Sequence, residues 1–245
     1  MKILLALTFV FNTFASVSYL ELQDVKQALF KTFEILKENP TDTLKINKPI
    51  PGLSETYWWD IDMVHASYVK VEMDGIVEHN LYLMGGFVRL ADMTPEGLLV
   101  TGCHEMGHGI GGTPHKDSGS STEGQSDYFA TAKCLPLALN FLTSKTAYVA
   151  KDVYTKLCEK QGSYEIGECE RMMFALESDI SYFKNLGDLV SFDIFSTHIQ
   201  LNLNTSPSYY PESQCRLDTM INGILGLERP ECWFPGGEEN GKYRE

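Results

Sequence analysis

Apolar residues recur with a helical period at Leu20, Leu22, Val25, Leu29, Phe30, Phe33 and Leu36, with charged residues between them. This predicts an amphipathic helix over 20–38, ended by Asn39–Pro40. Pro49-Ile-Pro-Gly52 then marks a loop, and Tyr57-Trp-Trp-Asp60 brings aromatic residues to the start of the main unit. Between Tyr68 and Asp74 apolar and polar residues alternate, which predicts a half-buried strand closed by Asp74–Gly75. His79 to Met84 reads as a second strand, and Gly85–Gly86 permits a bulge or the close approach of another backbone. A helix begins with Thr94 as N-cap, Pro95 in the first turn and Glu96 facing the positive end of the dipole. It runs through Leu98, Leu99 and Ile110 and stops at Gly111–Gly112. Gly97, Gly102, Gly107 and Gly109 weaken it intrinsically and suit close packing against other elements. Another helix is predicted from Glu123 to Cys134, before Leu135–Pro136, with 137–160 and 168–186 also helical around a turn at 161–167. The chain therefore reads as α+β, mostly helical, with a small antiparallel or mixed sheet preceding the 94–110 helix.

Composition narrows the setting. Of 245 residues, 43% are hydrophobic and 22% charged, which is ordinary for a folded globular chain. A net charge of −13 argues against nucleic acid or anionic membrane as a partner, since phosphate binding needs basic patches. Met1–Lys2, an apolar run from Ile3 to Phe11 and small residues near Ala15–Ser18 predict a secretory signal peptide over 1–18. That run is too short to span a bilayer, and no later segment reaches that length, so no stable membrane insertion is expected. The address predicted is exported, either periplasmic or extracellular. Cys103, Cys134, Cys158, Cys169, Cys215 and Cys232 fit it, because an even number of cysteines in an exported chain suggests disulfides. Fifteen pairings are possible and the simplest is sequential.

The chemistry concentrates in Thr101-Cys-His-Glu-Met-Gly-His-Gly-Ile-Gly-Gly112 and Glu123-Gly-Gln-Ser-Asp127. His104 and His108 are one helical turn apart, so both imidazoles leave the same face. Such a pair is the usual protein half of a tetrahedral zinc site. Glu105, beside the first histidine, is placed to take a proton from zinc-bound water. Glu123 and Asp127 have the same spacing: Glu123 can be a third ligand and Asp127 can bond the back of a histidine ring. One Zn²⁺ per chain is the expected cofactor. Cys103 and His115 are the competing ligands.

His104-Glu105-x-x-His108 followed by Glu123-x-x-x-Asp127 resembles the gluzincin zinc metallopeptidases. The nearer likeness is to the group of CAAX prenyl proteases and their soluble periplasmic relatives, over Thr94–Cys134. The metzincin pattern is not met, because Pro114 stands where its third histidine would be and His115 is one place late. The resemblance implies a zincin-like fold, a zinc metallopeptidase domain at 56–245 behind an N-terminal helix and linker at 19–55, and a peptide or protein substrate. It also implies that Asp127 orients His104, and that the strand before the zinc helix is a sheet edge that pairs with substrate through Asn80, Leu81 and Tyr82. In that group a His-Pro precedes an arginine; here Tyr210–Pro211 and Arg216 stand in that pattern, with tyrosine in place of histidine. Tyr210 and Arg216 are thereby expected near the reacting carbonyl, with Tyr209 and His198 as alternative donors.

Overall fold

A computed structural model of the protein describes residues 16–160, 164–192 and 210–233. Most of the expected signal peptide, the middle of the 161–167 turn, His198 and Tyr209 lie outside those residues. In chain order the elements are α1 (Tyr19–Leu36), β1 (Thr43–Ile46), α2 (Tyr57–Asp60), β2 (Ala66–Met73), β3 (Ile76–Leu83), α3 (Gly85–Val88) and α4 (Pro95–Ile110). They are followed by α5 (Glu123–Phe129), a π-helical turn (Ala130–Cys134), α6 (Leu135–Phe141), α7 (Asp152–Cys158), α8 (Ile166–Asp179), α9 (Ser181–Asn185) and α10 (Ser213–Leu225). The architecture is mixed α/β, close to half helical, with one mixed sheet of three strands.

The sheet order is β1-β3-β2. β2 and β3 form an antiparallel hairpin, from Ala66↔Leu83 to Met73↔Ile76, turned at Asp74 (φ 54°) and Gly75 (φ 76°). β1 pairs with β3 in parallel, Thr43↔Glu78 to Ile46↔Leu81. Asn47 extends that ladder with its side chain, accepting from the Leu83 amide at 2.7 Å and donating to the Leu83 carbonyl at 2.9 Å. The strand expected at the edge is therefore the central one. Asn80, Leu81 and Tyr82 lie in β3, whose main chain is engaged on both sides, and the outer sides of β1 and β2 are the free edges among the described residues. The physical clue is burial: His79, Asn80 and Leu81 are buried in succession, as in a strand covered on both faces.

α1 buries Leu22, Val25, Leu29 and Phe33 as its pattern predicts, while Leu20 is 80% exposed. Ser18 and Glu21 form a capping box at its start. Residues 19–55 thus supply a helix and a strand to the same hydrophobic core that holds α4. α4 runs through the centre, and its glycines are the points of closest approach. A Cβ on Gly97 would strike Ser178 of α8, on Gly102 Leu29 of α1, and on Gly109 His79 and Tyr68 of the sheet. The helix is weak alone and is held by what packs on each side.

Two helical expectations change. Pro136 does not end the helix begun at Glu123; the π-helical turn widens the backbone just before it and α6 continues. Residues 142–151 are not helical as expected. Three of their amides are taken by carboxylates of other elements: Asp24 Oδ2 accepts from Thr143 and Ser144, and Glu96 Oε1 from Thr146. Disulfides join Cys103–Cys134, Cys158–Cys169 and Cys215–Cys232, the sequential pairing, which suits an oxidising, exported location. No helix among the described residues is long and apolar enough to cross a membrane.

Candidate metal centre

Thr94 caps α4 by accepting from the Gly97 amide, and the helix then carries His104 and His108 on one face with ring centroids 4.7 Å apart. After Gly112 (φ 83°) the loop folds back so that Ser121 donates its amide to the His108 carbonyl at 2.9 Å. Gln125 Nε2 donates to the Gly111 carbonyl at 2.6 Å. These bonds fix the start of α5 against the end of α4 and place Glu123 opposite both rings.

One donor atom from each of His104, His108 and Glu123 lies within 4.8 Å of the others, and all three residues are buried. His104 Nε2 is 3.4 Å from Glu123 Oε2, and His108 Nε2 is 3.7 Å from Glu123 Oε1. Two atoms bonded at about 2.0–2.1 Å to one tetrahedral ion stand roughly 3.3–3.4 Å apart. The spacing fits a metal ion. The far sides of the rings are also fixed: His104 Nδ1 donates to Asp127 Oδ1 at 2.8 Å, and His108 Nδ1 to the Ser121 carbonyl at 2.9 Å. Ser126 Oγ lies 2.9 Å from His108 Nδ1 as well. Both Nε2 atoms are thus turned to the common point, as metal-binding rings require.

Electrostatics tell the same story. Burial opposes a charged His104, yet the Asp127 and Glu123 carboxylates outweigh it and hold its pKa well above the usual histidine value. His108 goes the other way, pushed down by burial and by the neighbouring His104 charge. Glu123 stays well below the usual carboxylate range despite burial, because His104 and Arg216 stabilise its charge. The Lys116 ammonium, 2.6 Å from Glu123 Oε1, adds positive charge beside the same carboxylate.

Arg216, on α10, forks onto Asp127: Nε donates to Oδ2 at 2.8 Å and Nη2 to Oδ1 at 2.7 Å. Its third nitrogen, Nη1, donates to the Tyr210 hydroxyl, and its guanidinium lies 4.7 Å from the Tyr210 ring centre. Glu105 is buried, and burial pushes its carboxyl up to about 7 against the pull of His104. It shares a cavity with His104, Arg216, Tyr210, Ala66 and Asp179.

The fold thus gathers Glu105, Tyr210, Arg216, His104, His108, Glu123 and Asp127 in one place, and leaves Asn80, Leu81 and Tyr82 inside the sheet. Cys103 is committed to a disulfide and His115 is exposed on the loop, in a β-bridge with Ser121, so neither is in the ligand group. Sequence reasoning missed Ser126, Lys116 and Asp179. Ser126 carried a local signal, one residue before Asp127 on the ligand helix; Asp179 carried none. Comparison with protein-family models, with curated proteins and with solved structures gave no match.

Proposed function

We propose that this chain is an exported zinc-dependent peptide hydrolase resembling the gluzincins, with His104, His108 and Glu123 as ligands. The observation that carries the reading is Glu105: a buried carboxylate that adjoins the three-ligand group, faces its cavity and has no ion-pair partner among the described residues. A structural site closes all four positions with protein ligands, whereas three leave one for water or substrate. Zinc held there would lower the pKa of a water and polarise the scissile carbonyl.

The chain's own groups divide the remaining work. Glu105 takes the proton of the attacking water and returns it to the leaving amine, and a carboxyl raised toward neutrality suits both transfers. Asp127 fixes the tautomer of His104, and Arg216 holds Asp127 with two of its three nitrogens. Arg216 is therefore a positioning residue. Because the Tyr210 oxygen accepts from Arg216, its own O–H is left to donate to the developing oxyanion. Extended substrate adds along β2, whose Ala66 borders the cavity and whose outer side is free among the described residues.

Glu105→Gln tests this directly. Metal content should stay at the wild-type level while hydrolysis of casein falls by about 10²–10⁴-fold. A variant that keeps wild-type turnover would end the assignment of Glu105. Wild-type protein that holds zinc yet cleaves neither casein nor peptidoglycan would leave an inert, zinc-stabilised binding protein.

A further inference from the structure

Between α6 and α8 lies a cavity of about 600 Å³ that shares no residue with the metal centre or the cavity beside it. Its apolar lining includes Pro136, Leu137 and Leu139 of α6 and Met172 of α8, with Leu139 8% exposed and Met172 1%. A cavity of several hundred Å³, apolar and with a few converging polar groups, is what small-molecule sites offer. The polar groups here are cationic and come from three elements: Lys133 from the π-helical turn, Lys145 from residues 142–151 and Arg171 from α8. The backbone that carries Lys145 is pinned on both sides. The Ser144 amide donates to Asp24 Oδ2 at 2.6 Å and the Thr146 amide to Glu96 Oε1 at 2.8 Å, while Arg171 donates to the Thr146 carbonyl at 2.8 Å. Arg171 is neutralised by Glu96 at 2.6 Å. The ammonium groups of Lys133 and Lys145 have no partner among the described residues, and Glu168 is the one acid that lines the cavity there. One positive charge is left in excess, in a chain whose 33 acidic residues outnumber its 20 basic ones.

We infer that this cavity binds a small amphiphile, an aliphatic chain that ends in a carboxylate. The chain's methylenes are covered by Leu137, Leu139 and Met172, and the stems of the two lysines add to that cover. The carboxylate sits at the rim, where Lys133 and Lys145 each bring it a charge-assisted hydrogen bond. A single negative charge matches the single excess positive one. The metal ligands take no part, so this site stands or falls apart from the hydrolase reading.

The test is calorimetric titration of the whole chain with octanoate, 1-octanol and butanoate, with the Met172 methyl signal followed by NMR. Octanoate should bind at least about tenfold more tightly than 1-octanol, which has the chain without the charge. It should also bind at least about tenfold more tightly than butanoate, which has the charge and four fewer methylenes. The Met172 signal should move with octanoate. Both lysines are exposed, so Lys133→Gln combined with Lys145→Gln should leave the melting temperature alone. In that double variant the preference for octanoate over 1-octanol should fall to near one. Equal binding of octanoate and 1-octanol, equal binding of octanoate and butanoate, or no octanoate binding would overturn the assignment. So would a Met172 signal that stays still, or a double variant that keeps the wild-type preference, since octanoate would then lie elsewhere. The wild-type comparisons need no variant, so they decide the matter even if the substitutions impair folding.

Discussion

Two buried histidines of this molecule, each beside a carboxylate, have opposite meanings. His104 sits on α4 between Asp127 and Glu123, with its Nε2 facing other donors and its charge stabilised. His79, in β3, has its Nδ1 2.8 Å from the Tyr68 hydroxyl and its Nε2 3.5 Å from Asp42, too far for a well-formed hydrogen bond. Burial holds its pKa below the ordinary value of 6.5, against the pull of Asp42. Both rings have a carboxylate and both are covered. Only at His104 do three ligand atoms converge on one point with the far nitrogen fixed behind. Burial beside a carboxylate is met in a core histidine too; convergence makes a site.

Substitutions that empty each neighbourhood should separate them sharply. His108→Ala removes one of the three ligands and should abolish both metal retention and hydrolysis, measured by metal analysis and a casein digest on the same preparation. Retained metal would show that the convergence at Glu123 is incidental. A smaller effect is expected one step out. Asp127→Asn leaves the ligands but removes the carboxylate charge behind His104 and turns one of the two oxygens that Arg216 donates to into a donor, so metal affinity should fall by about 10–100-fold in a chelator competition.

His79→Gln is the contrasting change. It should leave metal content alone while lowering stability by about 1–3 kcal/mol, as the Tyr68 hydroxyl loses its partner. Its pH dependence has a definite sign. The folded protein keeps His79 neutral to lower pH than the unfolded chain does, so below about pH 6.5 the unfolded chain binds the extra proton. The stability His79 provides is present above that pH and is lost as pH falls. Denaturant melts at pH 7.5 and 5.5 should therefore show the gap between wild type and His79→Gln narrowing at the lower pH. A gap that widens would mean that His79 is charged in the folded state.

The same contrast explains what could be read from the residues alone. His104, Glu105 and His108 were legible because one helical turn is a local rule, and Glu123 and Asp127 repeat it. Tyr210 and Arg216 came only through a resemblance, since Arg216 meets Asp127 across 89 positions. Asp179 meets Thr101 across 78, and nothing at either end announces the other. The place of β3 was misread because the resemblance puts a sheet edge immediately before the zinc helix, and no residue near 79–82 announces a further strand beside it. That edge is occupied by β1, a strand of only four residues whose pairing is finished by the Asn47 side chain. Residues 142–151 kept a helical pattern but lost the helix to Asp24 and Glu96, two carboxylates far away in the chain. What failed each time was a contact made by tertiary structure.

The central claim is that His104, His108 and Glu123 act together as a zinc site, and metal analysis of the exported chain beside Glu123→Ala tests it most directly. The account predicts one zinc per wild-type chain and much weaker retention in the variant. Wild-type protein without zinc, or a variant that holds zinc as firmly as its parent, would contradict it.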